Sequence, residues 1–588
     1  MFIGGIFMSA SLKIACAVPS VRVGDVAKNT EQICDLIDNA ATAGINILLF
    51  PRLCITGFTC GDLFFQDLLI RKAADALISI AEKTASYPNL TVVVGAPVCV
   101  EGKLFDCAAV VSKGKILGYV PAQQADGRWF APGTQMQTAA YHCFTVDGYT
   151  LSVEFDSQLE DCRAPSNADV VVNLSAAKEL MGERRRRSDR IKARSMACGV
   201  YAYCSAGYTE STQDVVYSGH AAIACNGKML RETAPQPTTD VFLSCDCTLN
   251  QVRVNEVSTP AKTQNDYLNR MPFLPQSPEE KLEQCLAAFQ IQVTGLMQRL
   301  RLLGAKPVIG VSGGLDSTLA LLVAVEAVRR MGRPASDVHG ITMPCFGTSD
   351  RTYQNAWELM RKLEITCKEI NIRDAVTQHF QDIGHDINVH NGTYENSQAR
   401  ERTQILMDYA GMVGGIVVGT GDLSELALGW CTYNGDHMSM YSVNSSVPKT
   451  LIRWIIEAVA DLPTFAVAKD VLMDILDTPI SPELLPPDAE GKIAQKTEDL
   501  VGPYELHDFF LYHILHNAYR PAKVLWLAEK AFAGEYDRET LLKWLKNLQK
   551  PFRRRPASKP NSQNSRTFSA AASPLLKTDF SHALSRVL

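Results

Sequence analysis

One stretch, Gly310-Val-Ser-Gly-Gly-Leu-Asp-Ser-Thr318, constrains what this chain can fold into more than any other. It follows the apolar run Pro307-Val-Ile309 and leads into Leu319-Ala-Leu-Leu-Val-Ala-Val-Glu-Ala-Val328. That order predicts a strand, a glycine-rich turn and a helix start. Adjacent glycines let the backbone approach an anion. The first-turn N–H groups of the helix then point at it, with the positive end of the macrodipole behind them. Gly310, Val311, Ser312, Gly313, Gly314, Leu315, Asp316 and Ser317 are therefore candidate phosphate-binding residues. The Lys-Ser/Thr pair that closes a kinase-style phosphate loop is absent. Asp316 stands near that place, and a carboxylate beside phosphates makes sense only where a divalent cation bridges them.

At 588 residues the chain is too long for one ordinary core, so two or three domains are expected. A net charge of −5 over this length implies no polyanionic partner. The run Arg184-Arg-Arg-Arg187 lies in a mixed stretch, Glu179 to Arg194, that reads as a solvated helix face rather than a nucleic-acid site. No segment approaches the ~20 uninterrupted apolar residues of a membrane span. The apolar start, Met1 to Met8, lacks a basic lead and a cleavage site, and reads as an upstream start codon rather than a signal peptide. The 17 cysteines, among them Cys16, Cys34, Cys198, Cys204, Cys225 and Cys285, are scattered through apolar segments as reduced core residues would be. That pattern fits the cytoplasm. Cys245-Asp-Cys247 is a close pair with no second pair at zinc spacing.

Two patterned regions flank a polar connector. From 11 to 254, short apolar runs (Ile45–Phe50, Leu90–Val94, Ala108–Val111, Thr150–Val153, Asp169–Asn173, Val200–Tyr203) alternate with helical periodicity at Glu31–Ala43 and Asp67–Ala85. Continuous apolar strands suggest sheets covered on both faces, hence a layered α/β domain. Residues 255–278 are rich in Thr, Pro and Asn and read as a linker. From 279 to 555 a long helix precedes a βαβα pattern with strands at Val308–Val311, Val338–Met343, Cys367–Ile372 and Ile416–Thr420. That alternation predicts an open, doubly wound parallel sheet that binds ligands at the strands' carboxyl ends. From 556 to 588 the composition turns to Pro, Ser, Asn and Ala, and order is not expected.

The Ser-Gly-Gly-x-Asp-Ser pattern resembles the pyrophosphate loop of the ATP pyrophosphatase superfamily. Beyond it, residues from about 278 to 555 resemble the synthetase domain of the glutamine-dependent NAD⁺ synthetases. The resemblance runs through Phe346-Gly-Thr-Ser-Asp-Arg-Thr352, Tyr394-Glu-Asn-Ser-Gln-Ala-Arg-Glu-Arg-Thr403, Gly419-Thr-Gly-Asp-Leu-Ser-Glu425, Gly429-Trp-Cys-Thr-Tyr433, Val447-Pro-Lys-Thr450 and Asp477-Thr-Pro-Ile-Ser-Pro-Glu-Leu484. It implies that ATP adenylates the carboxylate of nicotinate adenine dinucleotide (deamido-NAD) and that ammonia displaces AMP to give NAD⁺. It also implies Asp316 and Glu425 as Mg²⁺ ligands, and Thr420 and Lys449 as ATP contacts. Asn396, Arg400, Glu401, Glu425, Trp430, Cys431, Thr432 and Tyr433 would form the dinucleotide pocket, where an aromatic ring can stack on a flat one.

Residues from about 11 to 254 resemble the nitrilase-type glutaminase fused to such synthetases, an αββα sandwich. The matching stretches are Phe50 to Phe64, Val93-Val-Gly-Ala-Pro97, Gly118-Tyr-Val-Pro121, Val171-Val-Asn-Leu-Ser175 and Glu210-Ser-Thr-Gln-Asp214. The resemblance implies a Glu-Lys-Cys triad, yet the glutamate place after Phe50-Pro51 holds Arg52, the lysine place after Val120-Pro121 holds Ala122, and the cysteine place after Leu151-Ser-Val-Glu-Phe155 holds Asp156. Arginine does not lose its proton in proteins and alanine has no side-chain donor, so neither can replace a base or an oxyanion donor. Cys162 stands too far along its loop to substitute, and Ser157 would lack a base. The expectation is a degenerate glutaminase in which Arg52 and Asp156 meet as a hydrogen-bonded ion pair. Ammonia, not glutamine, would then be the nitrogen source. The family resemblance further implies a symmetric homo-oligomer. Past Phe552-Arg-Arg-Arg555 it stops, and nothing up to Leu588 restores the family's substrate-contacting tail. Two other readings stay open: another adenylating amidotransferase or thiolation enzyme of the superfamily, and a catalytically impaired homologue acting as an oligomeric partner or scaffold. The replaced triad and the foreign tail favour the latter; the intact loop, Glu425 and Lys449 oppose it.

Overall fold

A computed structural model describes residues 11–124, 126–136, 143–160, 168–249, 268–478, 484 and 497–553. Cys162, most of the expected linker and the whole of 556–588 lie outside the described residues. The chain divides into two compact units at Ala261/Lys262.

The first unit carries strands β1 (Ser11–Val18), β2 (Ile47–Leu49), β3 (Thr91–Val100), β4 (Lys103–Ser112), β5 (Lys115–Pro121) and β6 (Cys143–Val146). They are followed by β7 (Tyr149–Phe155), β8 (Val170–Ser175), β9 (Val200–Ser205), β10 (Ala221–Cys225), β11 (Lys228–Glu232) and β12 (Val241–Thr248). Two six-stranded sheets form, in the orders β12-β1-β2-β3-β4-β5 and β11-β10-β9-β8-β7-β6. In each, three consecutive strands are parallel (β1, β2, β3 and β7, β8, β9) and the rest are antiparallel.

Alternation along the strands explains the layers. Val93 and Val110 of the first sheet meet Val153, Val172 and Ile223 of the second in the core between them. Val92 and Val94 point the other way, onto Ile33 and Ile37 of the helix Val26–Thr42 and Leu77 and Ile80 of the helix Asp67–Lys83. On the far side, Val171, Tyr201 and Ala222 pack on Ile191 and Cys198 of the helix Glu183–Cys198. The result is an αββα sandwich.

That last helix corrects one sequence-based expectation. Its arginine run is only partly a solvated face. Arg187 is buried and pairs with Glu179 at 2.5 Å, and Arg194 is buried and pairs with Glu154. One turn-spaced row of the run faces the second sheet, where carboxylates satisfy it.

The second unit opens with the helix Pro278–Leu303 and then builds β13 (Lys306–Gly310), β14 (His339–Thr342), β15 (Thr366–Glu369), β16 (Gly415–Gly419) and β17 (Tyr441–Ser442). The order is β15-β14-β13-β16-β17, with every pairing parallel. The chain winds outward from β13 through β14 to β15, then crosses back to β16. The switch point between β13 and β16 opens a crevice at their carboxyl ends. Beyond the sheet, Phe509, Phe510, Phe532 and Trp544 form the core of a C-terminal helical cluster. No helix among the described residues is long and apolar enough to cross a membrane.

Candidate functional site

In the second unit, β13 ends at Gly310 and the helix Leu315–Arg330 begins five residues later. Gly313 holds φ +87°, and a Cβ there would lie 2.2 Å from the Thr352 carbonyl oxygen, so only glycine fits this turn. The loop is stapled by its own hydroxyls. The Ser312 N–H donates to Ser317 Oγ at 3.2 Å, the two serine Oγ atoms lie 3.1 Å apart, and the Gly314 N–H donates to Ser312 Oγ. Gly314 is the N-cap, and its backbone leaves the helix's first turn facing the crevice.

Across the crevice, β16 leads into the short helix Leu423–Leu428, whose N-cap Asp422 accepts the Glu425 N–H at 2.8 Å. Pro448 precedes the helix Lys449–Ala460 and sets Lys449 at its first position. Lys449 Nζ donates to Asp316 Oδ2 at 2.6 Å and to Glu425 Oε1 at 2.7 Å, and lies 2.9 Å from Asp422 Oδ2. One carboxylate oxygen from each acid lies within 4.8 Å of the others. Burial pushes the Glu425 carboxyl up to about 7 against the pull of Lys449, with Asp316 adding to the rise. Burial likewise raises Asp422 far above the usual carboxylate range, reinforced by Glu425. Burial alone would lower Lys449, but Asp316, Glu425 and Asp422 together hold its ammonium well above its ordinary value.

Three acids around one ammonium leave the cluster short of positive charge, and Asp316 Oδ1 is buried with no hydrogen-bond partner. An unspent carboxylate oxygen in a cluster of this spacing suits a hard cation with oxygen ligands. Behind it the network continues. Asp508, fully buried, accepts from Ser424 Oγ and from the N–H and hydroxyl of Thr450 at 2.9 and 2.7 Å. Burial pushes Asp508 up to about 6. Gly310, Asp316, Thr420, Glu425, Trp430 and Lys449 all line one cavity of about 290 Å³. That is near the lower edge of the roughly 300–1,000 Å³ usual for small-molecule pockets.

In the first unit, Arg52 leaves the end of β2 through a tight elbow. A Cβ on Gly95 would lie 2.3 Å from the Leu53 nitrogen, so β3 can pass only as glycine. Arg52 Nε donates to Asp106 Oδ2 at 2.5 Å, and Nη1 donates to Asp156. The other Asp156 oxygen accepts from Ser175 Oγ at 2.6 Å and from the Ala176 N–H at 2.7 Å. The Phe58 and Phe155 rings lie 5.2 and 5.8 Å from the guanidinium carbon. Burial would lower the guanidinium, but Asp106 and then Asp156 raise it above its ordinary value. Asp106, wholly buried, is pushed up to about 6 by burial against Arg52. Ala122, also buried, offers only backbone: its N–H donates to the Asp106 carbonyl at 2.8 Å.

Residues 289–525 match the NAD synthase family model. The glutamine-dependent NAD(+) synthetase of Mycobacterium leprae is 34% identical to this chain over 585 residues, covering 89% of this chain and 86% of that protein. The chain belongs to the glutamine-dependent NAD(+) synthetase family. The Mycobacterium tuberculosis member is 35% identical over 584 residues with the same coverage. Among solved structures, the family member from Cytophaga hutchinsonii aligns with a TM-score of 0.72 at 19% identity, covering 98% of this chain and 100% of that one. The Acinetobacter baumannii member, solved with adenosine diphosphate, aligns with a TM-score of 0.64 at 20% identity over 96% of this chain and 98% of that one. Both halves therefore share the family fold.

Against that family background, the structure brings Asp316, Glu425 and Lys449 into one cluster and lines the cavity with Trp430. The other residues expected at the dinucleotide pocket, Asn396, Arg400, Glu401, Cys431, Thr432 and Tyr433, are not among those that line this cavity. Thr432 Oγ1 donates to Asn396 Oδ1 at 2.8 Å, and Arg400 Nε donates to the Tyr433 carbonyl at 3.1 Å. The helix Gly392–Val413 thus clamps the segment carrying Cys431, Thr432 and Tyr433; Glu401 rides on the same helix, half-buried. Asp422, Asp508 and Asp106 escaped the sequence reading. Each had a signal. Asp422 stands three residues before Glu425 in a capping-box pattern, while Asp508 and Asp106 interrupt the apolar runs Leu506 to Leu511 and Phe105 to Val111.

Proposed function

We propose that this NAD⁺ synthetase makes its product from ATP, deamido-NAD and free ammonia, and that its glutaminase half, residues 11–254, is silent. The synthetase half, 279–555, would carry the reaction. The observation that supports the silent half is the position of Arg52, held between Asp106 and Asp156 where a base and a thiol would be needed. A guanidinium so paired abstracts no proton, and a carboxylate bound to it and to Ser175 and Ala176 has its lone pairs engaged.

In the synthetase half, ammonia cannot expel oxide from a carboxylate, so the acid must first become a mixed anhydride with AMP. The carboxylate attacks the innermost phosphorus of ATP, and pyrophosphate leaves. The loop 310–317 offers its backbone N–H groups and the helix's positive end to that leaving charge. Lys449, released from its carboxylates, supplies a compact positive charge to a phosphate oxygen. Asp316 and Glu425, with Asp422 beside them, would hold Mg²⁺, which neutralises phosphate oxygens and orients an in-line displacement when bound. Trp430 and the clamped segment after it would face the pyridine ring, keeping the acyl carbon in place for ammonia. Thr420, at the end of β16, borders the same crevice and would contact ATP.

The test is NAD⁺ formation by the purified full chain with ammonium or with glutamine as sole nitrogen source. Turnover with ammonium alone is expected. Glutamine-driven turnover comparable to it would overturn the silent half. Absence of deamido-NAD-dependent ATP–pyrophosphate exchange would overturn the synthetase half and favour the scaffold reading.

A further inference from the structure

We infer that Asn444 is a positioning residue for the adenylation step, fixing the distance between the loop that carries Asp316 and the loop that carries Glu425. The inference rests on the reading of that cluster proposed above.

The two acids come from different strands, and the sheet alone does not set their separation. The β13 and β16 ladder pairs Lys306 with Gly415, Pro307 with Ile416 and Val308 with Val417. Past Val308 that ladder stops and the two chains diverge around the crevice. Ionising more than one of Asp316, Asp422 and Glu425, which approach within 4.8 Å with one ammonium among them, also pushes the two loops apart. A tie across the gap is needed, and it is visible in the structure.

Asn444 is fully buried just after β17. Its Nδ2 donates to the Asp316 carbonyl and to the Thr420 carbonyl, both at 3.0 Å. Its Oδ1 accepts from Gln292 Nε2 at 3.0 Å, and Gln292 is held in turn by the Val443 carbonyl at 3.0 Å. The carboxamide thus spends both hydrogens on one carbonyl from each loop, and the long helix Pro278–Leu303 fixes its orientation. The same segment pins the second loop again: the Val447 N–H donates to the Asn444 carbonyl at 2.8 Å, and the Leu423 N–H donates to the Val447 carbonyl at 3.0 Å. Only a side-chain amide places two donors in this geometry. Aspartate at 444 would set an oxygen against two carbonyl oxygens, and alanine would leave both carbonyls unmatched by the side chain.

The test uses the full chain with Asn444→Asp, Asn444→Ala and the milder Gln292→Ala. Three readouts are taken: amide hydrogen exchange of 310–317 and 420–425 in the ligand-free protein, calorimetric titration with Mg-ATP, and the KM and kcat of the ammonium-dependent reaction. Faster exchange confined to those two segments is expected. Mg-ATP affinity and kcat should fall together, kcat/KM for ATP by about 10²-fold in Asn444→Asp, as misplacement of reacting groups predicts. Gln292→Ala should fall between wild type and Asn444→Ala, and KM for deamido-NAD should change least. Wild-type exchange and Mg-ATP binding in a folded Asn444→Asp or Asn444→Ala would overturn the inference. So would losses in all three variants that track the fraction unfolded. Failure of the wild-type chain to bind Mg-ATP would instead overturn the function proposed above.

Discussion

Each half of the molecule holds a buried cation between two or more carboxylates, Arg52 in the first and Lys449 in the second, and the two are set up in opposite ways. Arg52 in the first half has two acids, Asp106 and Asp156, a rigid fork of donors to reach them, and the Phe58 and Phe155 rings against its guanidinium. Lys449 in the second half has three, an unspent oxygen on Asp316 beside it, and a cavity that Asp316, Glu425 and Lys449 all line. On the function proposed above, the first arrangement is a plug and the second is a site for added positive charge. A buried ion cluster is therefore no sign of activity by itself; the surplus of negative charge and the adjoining cavity make the difference.

The sharpest way to break this comparison is to remove the second cation. Lys449→Ala should lower kcat by on the order of 10²–10³-fold, the usual effect of deleting one preorganised donor at a developing charge. ATP–pyrophosphate exchange checks it. A variant with near-normal exchange would mean that Lys449 is as structural as Arg52. Removing a partner of the first cation should act on stability instead. Asp156→Ala strands Arg52 with one acid, and the full chain should lose about 3 kcal/mol in denaturant unfolding while ammonium-driven activity of the remaining folded protein holds. A loss below ~1 kcal/mol, typical of an exposed pair, would remove the plug from the argument.

Asp508 tests how far the active cluster extends. It touches no reacting group but holds Ser424 and Thr450, the neighbours of Glu425 and Lys449. Asp508→Ala should lower kcat/KM for ATP by about tenfold, the equivalent of ~1.4 kcal/mol for a lost charged hydrogen-bond hub. Retention of full activity would confine the site to the residues at the cavity wall.

Much of this was legible in the chain itself. The strand–glycine loop–helix signal at 310–317 carried enough local physics to place the loop between β13 and its helix, and Arg52, Ala122 and Asp156 stood out in the sequence because the strands around them kept their pattern. Other features were not legible, for identifiable reasons. β17 is two residues long and leaves no periodic trace. Asp106 and Asn444 act through partners 54 and 128 residues away, a pairing that only the tertiary fold reveals. The arginine run of 184–187 looked solvated because a charge pattern does not say which row of a helix finds carboxylates beneath it.

The smallest effect expected lies back in the first half, at Glu210. Its side chain is wholly buried, with one oxygen accepting the Phe58 N–H and the other without a partner. Burial pushes its carboxyl from 4.5 up to about 8, only partly offset by that hydrogen bond. The folded state therefore keeps a proton that the unfolded chain releases. Glu210's contribution to stability is full below about 4.5 and is lost as the pH climbs to about 8, because stability falls wherever the native state binds the more protons. Glu210→Gln keeps an acceptor for Phe58 and removes the proton, so the unfolding midpoint should depend less on pH across that window than in wild type. Ammonium-driven turnover should be unchanged at any one pH, since Glu210 belongs to the half proposed to carry no chemistry. Thermal unfolding at pH 5 and pH 8 decides it. An equally steep pH dependence in the variant would move the slope to the other buried carboxyls raised into this window, Asp106 in the same half and Glu425 and Asp508 in the other.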